Sequence, residues 1–111
     1  MKAVWYTKTG KAEDVLQIGE QDNPLPIAGE VLVRVRASGI NPSDVKTRAG
    51  ARGKLQFPRV IPHSDGSGEI IDVGEGIDKS RIGEKVWIWN AAFGRAHGTC
   101  AELVTLPDQQ A

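Results

Sequence analysis

Apolar and polar positions alternate most regularly over Glu30–Gly39, where Val31, Val33, Val35 and Ala37 interleave with Leu32, Arg34, Arg36 and Ser38. A period of two predicts a strand with one apolar face and one partly solvated face, as in an antiparallel sheet or a barrel wall. Shorter runs predict strands over Met1–Thr7, Val15–Glu20, Gly68–Val73, Lys85–Asn90 and Thr99–Leu106. In Lys85–Asn90, Val86 and Ile88 oppose Trp87 and Trp89. Pro42–Gly50 predicts a short helix, capped by Asn41 or Ser43, with Pro42 tolerated in its first turn. Asn23-Pro24-Leu25-Pro26 reads as a turn, since two prolines remove two ladder donors. Ala51–Val60 reads as a basic, glycine-containing loop and Ala91–Gly98 as another. About seven short strands with one or two helical turns fit a mainly β barrel or sandwich, in which closure hides strand edges.

Composition narrows the class. A chain of 111 residues suffices for one domain with one core. Thirteen glycines and six prolines punctuate it at intervals that suit short strands. Fourteen basic and fourteen acidic side chains cancel, leaving no electrostatic footprint for nucleic acid or for a membrane surface. No apolar run approaches the roughly 20 residues that span a bilayer, and Met1–Tyr6 has no signal-peptide core. The single cysteine, Cys100, excludes an internal disulfide framework and fits a reducing compartment, so a cytoplasmic location is expected.

Several familiar chemistries fail on spacing. Gly74-Glu75-Gly76 opens a dinucleotide fingerprint, but its third glycine position is Lys79 and no helical pattern follows. A phosphate-binding loop ending at Gly53-Lys54 would need glycine at Arg48 and a hydroxyl residue after Lys54. Structural zinc needs four ligands, usually paired cysteines, which a single cysteine rules out; a catalytic site needs three, and His97 with Cys100 supplies two at most, with Cys100 reading better as a small wall residue. His63, Ser64 and Asp65 are the residue types of a hydrolytic triad, but neighbours on an extended chain point apart. What remains is a set of polar groups in two segments beside strands, Ala37–Asp44 and Ile61–Glu69. Asn41, Ser43 and Ser64 donate and accept, Asp44 and Asp65 accept, and Lys46 and Arg48 bring positive charge. Taken alone, these residues suit turn and cap chemistry as well as the lining of a cleft.

Six segments in order then resemble one family. They are Met1-Lys2-Ala3-Val4, Gly29-Glu30-Val31-Leu32-Val33-Arg34-Val35, Gly39-Ile40-Asn41-Pro42-Ser43-Asp44 with Arg48 and Gly50, Ile61-Pro62 through Gly68, Val73-Gly74 with Ile82-Gly83-Glu84-Lys85-Val86-Trp87, and Gly98-Thr99-Cys100-Ala101-Glu102. Together they resemble the N-terminal, GroES-like domain of the medium-chain dehydrogenase/reductases, and within it the zinc-free, zeta-crystallin-like quinone oxidoreductases. The resemblance implies that residues 1–111 form a GroES-like, partly open β-barrel with one or two short helices. It also implies that a doubly wound NADPH-binding domain, which follows the segment around Pro107 in the family, is absent from this chain. The chain is then expected to be a truncated piece, inactive alone.

The same resemblance implies the chemistry. Asn41 and Ser64 stand where zinc-dependent relatives carry a cysteine and a histidine ligand, and Asp65 stands where a glutamate follows, so no zinc is expected. Lys46 replaces an aromatic residue near the nicotinamide in many quinone reductases, and His63 replaces a common glycine. The parent enzyme would reduce a quinone or α,β-unsaturated carbonyl with NADPH, as a homodimer. Asn41 is expected to orient the nicotinamide or the acceptor, with Ser64 and Lys46 as further hydrogen-bond donors. Asp44 and Lys46 are also expected at the cofactor, and Asp44 with Asp65 would hold the loops. Competing readings are a zinc-type alcohol dehydrogenase relative, a non-enzymatic GroES-like module, and a stand-alone binder of small carbonyl compounds.

Overall fold

The computed structural model describes residues 1–111. Its elements in chain order are β1 (Lys2–Trp5), α1 (Ala12–Val15), β2 (Gln17–Glu20), β3 (Glu30–Gly39), α2 (Pro42–Ala49), β4 (Asp65–Val73), β5 (Lys85–Ile88) and β6 (Leu103–Pro107). Single 3₁₀ turns lie at Lys79–Arg81 and Asp108–Gln110. All strand pairs are antiparallel: β1 with β2, and a four-stranded sheet in the order β5-β4-β3-β6. Isolated bridges, Ala3 with Ala101 and Tyr6 with Val60, tie the N-terminal segment to the stretches before β6 and β4, and the two sheets stay separate, so the barrel is partly open. The expected mainly β, GroES-like architecture is what the chain adopts, with six strands rather than about seven.

The central strand shows why. Val31 and Val33 of β3 meet Ile70 of β4, Val86 and Ile88 of β5, and Val104 and Leu106 of β6 in one core. Each such burial stabilises by roughly 1.5–3 kcal/mol relative to exposure. The expected alternation holds for β5, where Val86 and Ile88 point inward while Trp87 stays 87% exposed. In β3 it holds only in part. Leu32 and its cross-strand neighbour Thr105 are also buried, so the first half of β3 is covered on both faces. Ala37 is exposed, because the register with β4 shifts between Val35 and Ala37 and rotates the end of the strand.

Other boundaries differ for local reasons. Val15 ends the short helix α1 instead of opening a strand. Thr99–Glu102 does not extend β6, because the N–H groups of Thr99 and Cys100 donate to the carbonyls of His63 (2.8 Å) and Pro62 (3.0 Å). Asn90 adopts a left-handed φ of 54°, which ends β5 before it. Gly98 lies where a Cβ atom would stand 2.2 Å from the His63 carbonyl oxygen, so only glycine permits this crossing of two loops. Glu30, at the start of β3, is buried and accepts from Arg95 (2.6 Å) and from the Ile27 N–H (3.2 Å). No helix is long and apolar enough to cross a membrane.

Candidate functional site

The pairing of β3 with β4 ends at Gly39 opposite Asp65. Two residues beyond Gly39 the chain turns into α2, with Asn41 as N-cap and Pro42 in the first helical turn. That geometry brings Asn41 and Asp65, 24 residues apart in sequence, into contact: Asn41 Nδ2 donates to Asp65 Oδ2 at 2.6 Å. The Asn41 N–H donates to Asp44 Oδ2 at 2.8 Å, which satisfies an amide at the helix start. Gly50 closes the helix in the left-handed region, with φ 94°. Arg48 Nη1 donates to the Gly10 carbonyl at 2.6 Å and so fastens α2 to the N-terminal loop.

A cleft of about 380 Å³ opens at this corner. Asn41, Ser43, Asp44, Ser64 and Asp65 all line it, so the structure brings together the polar residues of both sequence segments. All five are half-buried. The Ser64 hydroxyl takes no part in the hydrogen bonds that fix Asn41 and Asp65, while its carbonyl accepts from the Ala91 N–H at 2.9 Å. Lys46 is the exception. It is exposed and is not among the lining residues, because two residues along a helix from Asp44 amount to a rotation of about 200°.

The cleft also contains residues that the sequence did not single out as site residues. Tyr6, buried beneath the cleft, has its phenol held above its ordinary pKa by burial and by Asp44, with Arg48 opposing. His63 lines the cleft with a left-handed φ of 78°. Burial lowers its pKa and Asp44 partly restores it. Arg52, Lys54, Phe57 and Phe93 come from the two loops that close the cleft. The one available signal was His63 at a position where glycine is common in the family, and its backbone conformation is one that glycine adopts freely.

Behind the cleft, three contacts of 2.8 Å run in series: His63 Nδ1 to Ser38 Oγ, Ser38 Oγ to Thr99 Oγ1, and Thr99 Oγ1 to the Asp65 carbonyl. Thr99 is fully buried. Cys100 instead lines an open groove on the other side, beside Val4 and Ala101. Its thiol is raised in pKa by burial and by Asp44, which keeps it protonated and poorly nucleophilic. No group of three or more His, Cys, Asp or Glu side chains converges closely enough to hold a metal ion. The arrangement offers amide, hydroxyl and imidazole groups around a space sized for one or two rings, at the small end of ligand sites.

Comparison with known proteins agrees with this architecture. Residues 27–111 match the family described as the alcohol dehydrogenase GroES-like domain. The alcohol dehydrogenase of Moraxella sp. is 36% identical over 100 residues, covering 87% of this chain and 29% of that protein. A chloroplastic quinone-oxidoreductase homolog of Spinacia oleracea is 33% identical over 89 residues, covering 78% of this chain and 27% of its own. A mycobacterial protein solved in complex with NADPH superposes with a TM-score of 0.83 at 30% identity, covering 99% of this chain and 31% of that one. The chain thus spans about a fifth to a third of the length of the curated relatives it matches.

Proposed function

The chain belongs to the alcohol dehydrogenase GroES-like domain family, and from that premise we propose that it forms the acceptor-binding half of an NADPH-dependent reductase of quinones or α,β-unsaturated carbonyls. The other half would be a nicotinamide-binding domain facing the cleft. The observation that carries the reading is the joint position of Asn41, Ser64 and Asp65 in one cleft. At positions where zinc-dependent members offer a thiolate and an imidazole, this chain offers a carboxamide and a hydroxyl. Both are hydrogen-bond groups, and neither is a strong metal ligand.

The cleft is sized for one or two rings and is too small for a dinucleotide, and the chain lacks a glycine-rich turn between strand and helix to cradle a pyrophosphate. The bound dinucleotide supplies a hydride. Asn41 is pre-positioned by Asp65: one amide hydrogen is committed to that carboxylate, and the second is left to orient the nicotinamide carboxamide or the acceptor. Ser64 donates toward the acceptor oxygen, where negative charge develops on reduction. Asp44 holds the Asn41 backbone, and Asp65 holds its side chain. The reading requires nothing of Lys46.

The test uses this domain joined to a nicotinamide-binding domain, with NADPH oxidation followed in the presence of a benzoquinone. Asn41→Ala is expected to lower turnover more than tenfold, since one well-placed donor to a developing oxyanion contributes about 3 kcal/mol. Unchanged steady-state kinetics would remove Asn41 from the chemistry. Stoichiometric zinc in the purified protein would favour the alcohol dehydrogenase reading instead. The 111-residue chain alone is expected to show no micromolar affinity for NADPH in a fluorescence titration.

A further inference from the structure

The three serial contacts behind the cleft fix where the hydrogen on His63 sits. Each spans 2.8 Å between polar atoms, so each needs one hydrogen between its partners. The Asp65 carbonyl can only accept, so the Thr99 hydroxyl hydrogen points to it. Thr99 Oγ1 must then accept from Ser38, which uses the only hydroxyl hydrogen Ser38 has. The remaining contact lacks a hydrogen unless His63 Nδ1 supplies it. Two hydroxyl hydrogens cannot serve three contacts, so the neutral ring carries its hydrogen on Nδ1.

Ser38 does not line the cleft, whereas His63 does. Nδ1 is therefore engaged by a residue outside the cleft lining, and Nε2 has no hydrogen-bond partner within the chain. We propose that His63 is the proton-exchange group of this site, receiving a proton at Nε2 and delivering it to the acceptor oxygen as hydride reaches the acceptor carbon. The role rests on the reductase reading above. Hydride forms a C–H bond at the conjugated carbon of the acceptor, and the C=C π pair shifts to a new C=C at the carbonyl carbon. The C=O π bond breaks and its oxygen takes the His63 proton as an O–H bond. The enol so formed tautomerises in water to the saturated carbonyl, or to the hydroquinone when the acceptor is a quinone. The acceptor gains two electrons and the nicotinamide donor loses them, and His63 returns to its neutral Nδ1–H form, to be recharged from solvent. The relay through Ser38 and Thr99 to the Asp65 carbonyl holds the ring in place throughout, since its three hydrogens do not move.

The charged and titratable groups that line the cleft with His63 are Tyr6, Asp44 on α2, Asp65 on β4, and Arg52, Lys54 and Arg95 on the two loops, and of these Asp44 acts on the charge of the ring. Asp44 favours the charged ring while burial opposes it more strongly, which leaves Nε2 free at neutral pH. Turnover limited by this proton should therefore decline as pH rises through a value below the ordinary histidine range.

Two measurements test the proposal. ¹⁵N NMR of the 111-residue chain at neutral pH should give His63 a protonated, pyrrole-type Nδ1 and a pyridine-type Nε2, and Ser38→Ala should release that preference. The opposite tautomer in the unmodified chain would overturn the proposal whatever the enzyme does. In the domain joined to its nicotinamide-binding partner, His63→Asn keeps a residue that tolerates the left-handed backbone but does not titrate. It should lower turnover at least tenfold at the acidic optimum and flatten the pH profile, with melting temperature reporting the fold. An unchanged profile would overturn the role. If the unsubstituted joined protein reduces neither a quinone nor an α,β-unsaturated carbonyl, the proton-exchange role falls with the reductase reading, and a correct tautomer would mark that reading, not the hydrogen count, as the error.

Discussion

At the scale of single residues, the site depends on close approaches that allow no added atoms. Gly98 carries the clearest case: its N–H donates to the Ile61 carbonyl at 2.7 Å, and a Cβ atom would fall 2.4 Å from the Pro62 carbonyl oxygen as well as onto that of His63. Gly98→Ala is expected to destabilise the chain by about 3 kcal/mol through overpacking against backbone, read as a lower midpoint in urea. An unaltered midpoint would mean that the loops part easily. The sequence announced Gly98 only as part of a motif, and the reason for it lies in contacts with residues more than thirty positions away, about which local spacing is silent. Asn41 was more legible. Its place before Pro42 marked a cap, and the same geometry that caps α2 aims its side chain at Asp65.

At the scale of elements, α2 joins folding to electrostatics through Asp44. The carboxylate accepts from the Asn41 N–H and sits in the first helical turn, where a negative charge is favourable. Asp44→Ala should cost about 1 kcal/mol of stability. It should also move the pKa of His63 further down and those of Tyr6 and Cys100 back toward ordinary values, since Asp44 raises all three. NMR titration of His63 checks the coupling, and an unmoved His63 would place Asp44 too far away to act. The strands were legible wherever one face is buried, as in β5, because the period of two then coincides with a core. The reading lost accuracy at the end of β3, where a register shift rotates Ala37 outward. It also missed the contribution of residues 51–57 to the cleft, because a loop has no period to read.

At the scale of the whole molecule, two properties follow. His63 and His97 both have lowered pKa values; for His97, burial is the largest cause, followed by Arg59 and Arg95. The unfolded chain then binds more protons than the folded one below the ordinary histidine pKa of about 6.5. Stability from these two groups is present above that pH and is lost as pH falls through the depressed values. Thermal melts should thus fall as pH decreases below about 6.5, and His63→Asn with His97→Gln should flatten that limb. An identical slope in the double variant would assign the loss to carboxylates. The surface also leaves Trp87, Phe93 and Ile18 at least 80% exposed, with Trp87 on β5, a free edge of the four-stranded sheet. Apolar groups beside an open edge favour association, so light scattering should detect species larger than a monomer as concentration rises. Trp87→Lys should suppress them, and a strict monomer at high concentration would contradict the expectation.

The loop over residues 52–57 lines the cleft without a place in any strand pairing, while Pro62 and His63, which also line it, are held by the crossing at Gly98. An engineer reshaping the cleft would therefore diversify Arg52, Lys54 and Phe57, whose side chains belong to no strand pairing. Libraries that vary Gly98 would lose members to chains that fail to fold.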